Sequence, residues 1–269
     1  MNIGIISLGL IGGSILKSLA EFDFNIIAVT RNIKTIEQAK KYTQNVSDDY
    51  NTLAACDVVF VASPINKTLE VLDKLENIVK KDCIVLDCAS VKEFVMKKSR
   101  PYKFIGSHPM AGTENSGFDA SFKELFSGAK WVLTPTDNIS QNDIDIVKNI
   151  IEKTHAQIVI TNAKEHDMAV ALISHMPLLL AQALFNCVSD NELALKLASS
   201  GFRDMTRLAM SNLEMASDMR EYNASNIDIS IEKLISSINF LKSTKDLKIY
   251  ADIKNIRKNM YSKEGKNIL

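Results

Sequence analysis

MNIGIISLGLIGGS, residues 1–14, runs from a short β-branched strand through a glycine turn into the start of a helix. In a dinucleotide-binding G-x-G-x-x-G turn, the first glycine makes the tight bend and the second lets backbone approach a pyrophosphate. The third lets the helix pack on the strand. Here Gly9 and Gly12 hold the second and third places, and Ser7 stands in the first. A helix beginning near Leu10 and Ile11 would offer its unpaired backbone N–H groups to a phosphate. The same glycines could serve packing alone; their position at the first strand-to-helix turn favours the cofactor reading.

Working outward, residues 3–7, 25–30, 57–62, 83–87, 103–105, 130–134 and 157–160 read as strands. Helical stretches at 11–21, 33–42, 68–80 and 144–154 separate most of them. Runs of Val and Ile without polar alternation suit a parallel sheet covered on both faces. The alternation predicts a doubly wound α/β domain, of the Rossmann type, over residues 1–162. Residues 163–269 carry no strand signal and predict an all-α second domain. Its helices are expected at 164–188, 191–198, 202–210, 213–222 and 223–259, the last broken near 243–245.

An NAD-preferring site places a carboxylate about 20 residues beyond the glycines, on the ribose 2′-hydroxyl. The second strand ends instead in Thr30-Arg31. An arginine there can pair with a 2′-phosphate, which points towards NADP; stacking on the adenine instead would suit either nucleotide. Ser63 and Pro64 follow the next strand, where parallel sheets bind their ligands, and would line the cofactor cleft; a simple strand-ending turn is the equal alternative.

The whole-chain composition excludes other classes. Lys plus Arg and Asp plus Glu number 32 each, so no net field draws the chain to nucleic acid or a membrane surface. The N-terminus lacks the basic region and cleavage site of a signal peptide. No stretch reads as a membrane span. Cys56, Cys83, Cys88 and Cys187 lack zinc or redox spacing, which fits a reducing cytoplasm. No cluster has metal-ligand spacing.

Of four histidines, His108 stands out, in FIGSHPMAGTENSGF (residues 104–118), a glycine-rich loop leaving a strand. A histidine there is suited to acid–base work near neutral pH. LDCASVK (residues 86–92) supplies Ser90 and Lys92. EHD (165–167), ISHMP (173–177) and SGFRDMTRLA (200–209) follow. These motifs, in this order behind the glycine turn, resemble the prephenate/arogenate dehydrogenase family over nearly the whole chain.

The resemblance implies an NAD(P)-dependent oxidative decarboxylation that makes the aromatic ring of tyrosine, with prephenate or arogenate as the small anionic substrate. His108 matches the base that takes the ring-hydroxyl proton, and Ser90 the serine beside it. His175 matches a second pocket histidine, and Arg207 the arginine that grips a substrate carboxylate. Thr113 is assigned to substrate binding; Lys92 and Glu114 would line the same cleft. Two positions depart from the family pattern: Leu178 stands where a further histidine is common, and Ala216 where tryptophan is common.

Bland readings stand beside these. His155 reads as a surface residue, and His166 as a helix-start feature, an interface hydrogen bond or a support for the site. His175 could be a satisfied core histidine, and Arg203 and Asp204 a simple ion pair. A β-hydroxyacid dehydrogenase would need a catalytic lysine in the helical half, and no suitable G-x-x-x-K pattern follows. A nicotinamide-binding sensor without chemistry is the other alternative. Phe185, Leu193, Leu195, Leu197, Ile231, Leu234, Ile235, Ile238 and Leu241 recur at helical spacing, and an internal core is the bland reading of them. With the resemblance, they imply a homodimer through that half.

Overall fold

The computed structural model describes residues 1–113 and 115–261. Strands β1 (Asn2–Ile6), β2 (Asn25–Val29), β3 (Asn45–Ser47), β4 (Val58–Val61), β5 (Ile84–Asp87), β6 (Lys103–Pro109), β7 (Lys130–Pro135) and β8 (Gln157–Ile160) form one sheet. Its order is β3-β2-β1-β4-β5-β6-β7-β8. All neighbours pair in parallel except β6 and β7. The order reverses between β1 and β4, the switch point at which a doubly wound sheet holds its ligand.

Successive side chains of a strand face opposite ways, and here both faces are apolar. Ile3 and Ile5 of β1, Val58 and Phe60 of β4, and Ile84 and Leu86 of β5 enter one buried cluster. Ile6, Val59, Val61 and Val85 enter the other. Helices α1 (Leu10–Leu19), α2 (Ile33–Ala39), α3 (Ile65–Leu75), α4 (Glu93–Met96) and α5 (Gln141–Glu152) connect the strands. Leu16 and Leu19 of α1 cover the first face, and Leu72 and Leu75 of α3 the second. Sequence sets the helix starts: Asn32 caps α2, and Ser140 with Asp143 forms a capping box on α5.

The helical half contains α6 (Ala163–Val170), α7 (Met176–Asn186), α8 (Glu192–Leu197), α9 (Ser200–Thr206), α10 (Leu213–Tyr222), α11 (Ala224–Ser243) and α12 (Leu247–Met260). By compactness the chain divides into Met1–Ile227 and Asp228–Leu269. Strand β8 ends at Ile160, and the elements that follow it among the described residues are helical.

Four expectations need correction. Strand β3 is too short and polar, at three residues, to announce itself. Strand β6 continues four residues past Ile105, because β7 pairs antiparallel with Ile105–Pro109 and supplies hydrogen bonds beyond the parallel ladder. The helix expected over 164–188 is interrupted by a π-helical turn at Ala171–His175. Finally, the 24-residue helical run Ala163–Asn186 contains an 18-residue window of mean hydropathy 1.8, which does have the length and composition of a membrane span. Its buried face carries His166, Asp167 and His175 in a polar network, which suits the core of a folded domain.

Candidate active site

The glycine turn has the shape that the sequence calls for, and Ser7 bears the strain. Its φ is +68°, the left-handed region normally left to glycine. A Cβ on Gly12 would collide with the Ser7 carbonyl oxygen, so helix and turn can close only around glycine. At Gly9, the N-cap of α1, a Cβ would meet nothing within 4 Å beyond its own chain neighbours among the described residues. Close backbone approach from outside is therefore open there, and no side chain caps the N–H groups of the first turn. Turn, packing glycine and uncapped helix start fit a dinucleotide pyrophosphate.

Thr30 follows β2 and is half-buried; Arg31 is exposed beside it. The Arg31 charge offsets part of the burial that pushes the Tyr50 hydroxyl pKa upward, which places guanidinium and phenol near each other. Ser63 is buried, its hydroxyl 3.2 Å from that of Thr68, and Pro64 is the N-cap of α3. All four lie beyond the carboxyl ends of β2 and β4, on the side of the sheet that holds the glycine turn.

His108 lies within β6, opposite Val132 of β7, rather than in a loop. A strand holds a side chain more firmly than a loop does, and a network of partners holds this one. Its Nδ1 is 2.9 Å from Nε2 of His166, whose Nδ1 is 2.7 Å from a carboxylate oxygen of Asp167. That carboxylate also accepts from the backbone N–H groups of Lys92 at 2.7 Å and Glu93 at 2.8 Å. A carboxylate held by two N–H groups can only accept, so Nδ1 of His166 carries a proton. In the neutral ring Nε2 of His166 then accepts, and Nδ1 of His108 donates to it. The lone pair of His108 is left on Nε2. Burial above all pushes the His108 pKa well below the usual histidine value. The ring stays neutral and can take up a proton near pH 7.

Beneath it, Lys92 is fully buried. Its ammonium pairs with Asp87 and donates to the Ser107 carbonyl at 2.5 Å. Asp87 also accepts from the backbone of Ala89 at 2.9 Å and of Ser107 at 3.0 Å. Lys92 therefore ties the end of β5 to β6 and does not line a cleft as the sequence suggests.

His175 closes the π-turn, is 1% exposed, and has its pKa pushed down to about 4, chiefly by burial. Its Nδ1 lies 3.0 Å from Nδ2 of Asn223. Its Nε2 is buried with no hydrogen-bond partner among the described residues. π-Turns inside α-helices often mark functional positions, since they re-aim the side chains that follow.

Ser90 is half-buried in the turn after β5, and among the described residues the side-chain partner of His108 is His166, not Ser90. Thr113 is exposed, with its hydroxyl 3.2 Å from the Asn115 amide. Arg207 is exposed where α9 passes into a 3-10 turn at Arg207–Met210. Glu114 lies outside the described residues. Leu178 and Ala216, the departures from the family pattern, are both 5% exposed. His155 is a surface residue after α5, and Arg203 and Asp204 form an exposed ion pair at 3.6 Å. The network residues that sequence reading leaves without a role are Asp87, Asp167 and Asn223. The EHD motif was the one signal for Asp167; nothing local distinguishes Asn223.

Comparison with known proteins gives the same picture. Residues 16–160 match the family model described as prephenate dehydrogenase, nucleotide-binding domain. Residues 162–255 match prephenate dehydrogenase, dimerization domain. The prephenate dehydrogenase of Bacillus subtilis is 28% identical over 88% of this chain and 68% of its own length. A crystal structure of Synechocystis arogenate dehydrogenase is 30% identical, with a TM-score of 0.82 over 97% of both chains. Prephenate dehydrogenase from A. aeolicus, in complex with hydroxyphenyl propionate and NAD+, is 28% identical. Its TM-score is 0.84, over 97% of this chain and 98% of that one. With both domains matched in order over most of its length, the chain belongs to the prephenate dehydrogenase family.

Proposed function

We propose that this chain oxidises and decarboxylates a ring-carboxylated cyclohexadienol, prephenate or arogenate, with His108 as the base and Arg207 as the anchor for a substrate carboxylate. The reaction class, NAD(P)-dependent oxidative decarboxylation in tyrosine biosynthesis, is that of its family. The observation that carries the residue assignment is the lone pair left on His108 Nε2 by the relay to Asp167. A bound nicotinamide supplies the hydride acceptor. Ser7, Gly9, Leu10, Ile11 and Gly12 would hold its pyrophosphate, with Thr30, Arg31, Ser63 and Pro64 along the same edge.

In this reading His108 Nε2 takes the proton of the ring C4 hydroxyl as C4 becomes a ketone. The charge this places on His108 is shared through His166 with the Asp167 carboxylate. Loss of the ring carboxylate as CO2 returns its bonding electrons to the ring, which becomes a phenol. Ser90 sits in the turn beside Asp87 and orients the substrate hydroxyl; His175 and Thr113 contact the rest of the anion. Arg207 suits a carboxylate through its planar fork.

The helical half forms a homodimer. Phe185, Leu193, Leu195, Leu197, Ile235 and Ile238 remain 39–72% exposed, and residues 162–255 match a dimerization domain. We assign residues 1–162 to cofactor binding and 163–269 to substrate binding and dimerisation. All four cysteines are free, which accords with a cytoplasmic setting.

The test is nicotinamide reduction, followed by absorbance, with prephenate or arogenate against NAD or NADP in all four combinations. Reduction that prefers NADP, with the preference lost in Arg31→Ala, is expected. Silence in all four, from folded protein that binds nucleotide, would overturn the reading.

A further inference from the structure

The two buried histidines nearest His108 are fixed by the same residue, through different atoms. The Asp167 carboxylate holds His166, and the Asp167 carbonyl oxygen accepts from Asn223 Nδ2 at 2.9 Å. That second bond resolves which way the Asn223 amide points. A carbonyl oxygen cannot donate, so the group facing it must be the NH2. The opposite assignment would set two oxygens against each other. On its other side, Asn223 Oδ1 accepts from Asn226 Nδ2 at 2.8 Å, in agreement. The same NH2 faces His175 Nδ1 at 3.0 Å, and it can only donate there. His175 Nδ1 is therefore the acceptor, and its ring proton sits on Nε2. That N–H is buried and finds no acceptor among the described residues. A buried donor left unpaired is unfavourable, so the fold holds it for a partner from outside.

We infer that Asn223 is a positioning residue that holds His175 as a neutral Nε2–H donor for an oxygen of the bound substrate, the opposite tautomer to His108. This rests on the functional reading above, which places His175 in the substrate site. The two rings then share the work without interchange: His108 offers a lone pair at Nε2, and His175 offers a hydrogen at the equivalent atom. Burial keeps His175 uncharged at neutral pH, so it contributes direction and not net charge; Arg207 supplies the charge. An acceptor at position 223 in place of the amide would invert the tautomer and turn the donor away.

The test is nitrogen NMR of the full chain labelled at histidine, with the His175 signals assigned through His175→Gln. The expected wild-type pattern is a protonated Nε2 and an unprotonated Nδ1 on His175. The Nε2–H signal should shift on adding NAD+ and hydroxyphenyl propionate. Asn223→Asp is expected to move the proton to Nδ1 and to raise the substrate KM about tenfold, with the nicotinamide KM unchanged. Asn223→Ser, which keeps one donor, should recover part of that loss. A wild-type His175 protonated at Nδ1 overturns the inference whether or not any variant folds. A correct tautomer whose Nε2–H ignores the ligand overturns the donor role, in an enzyme that still turns over. The tautomer is read without turnover, so a wild type inactive on every substrate would count against the functional reading and not against Asn223.

Discussion

His108 Nδ1 and His166 Nε2 lie 2.9 Å apart with their ring planes at 74°, so each ring meets the other edge-on through one shared hydrogen. Removing the second ring should therefore impair the first without touching substrate. His108→Asn is expected to lower kcat by about 10²–10⁴-fold with nucleotide affinity retained, the usual contribution of a positioned acid–base group. His166→Leu should give a smaller fall in kcat, with substrate KM little changed. Equal activity in His166→Leu and wild type, by steady-state kinetics, would remove the relay from the mechanism.

The same network predicts the acid side of the pH profile. Burial above all holds the His108 pKa well below 6.5. The ring thus remains unprotonated, and able to act as a base, as pH is lowered through the ordinary histidine range. The acid limb of kcat/KM should fall below pH 6.5. A limb at or above 6.5 would show that the groups around His108 do not shift it as described.

His175 gives a prediction about stability. In the fold its pKa is about 4, whereas a histidine in the unfolded chain titrates near 6.5. Between those values the unfolded state binds the extra proton, so stability is lost as pH falls from about 6.5 to about 4 and levels off below. The contribution of this one ring is about 3 kcal/mol. Denaturant titrations across that window should show a shallower pH slope for His175→Gln than for wild type. Parallel slopes would mean the ring is not buried in its neutral form.

The glycine turn offers a paired test. Ser7 holds φ at +68°, and Ser7→Gly should stabilise the protein by about 1 kcal/mol. Gly12→Ala should destabilise it and abolish nucleotide binding, because the methyl group runs into the Ser7 carbonyl. A neutral Gly12→Ala, by thermal melting and nucleotide titration, would require a different turn.

These positions also show where sequence stops being informative. The central strands were legible because each has an apolar run long enough to bury on both faces, as Val58–Val61 does, while their order in the sheet emerges only in the fold. Strand β3 was not, since Asn45, Val46 and Ser47 acquire strand geometry only by pairing with β2. His108 could be picked from its motif, but its place in a strand depends on β7, more than twenty residues away. Lys92 reads as a cleft-lining lysine until Asp87 and Ser107 are brought around it. The π-turn before His175 likewise has no signal in Ala-Leu-Ile-Ser-His, which any α-helix would accept.

The double use of Asp167 limits what mutagenesis can reveal. Substitution by any residue other than glutamate removes the carboxylate but leaves the main-chain oxygen in place, still able to receive the Asn223 amide. A scan of side chains would therefore credit the position with the His166 relay and miss its hold on His175. The second debt is written in the backbone, where only a change of chain path, an ester in place of an amide, or a loss at Asn223 can reach it. Sequence variation among relatives is free to alter one half of this control while inheriting the other unchanged.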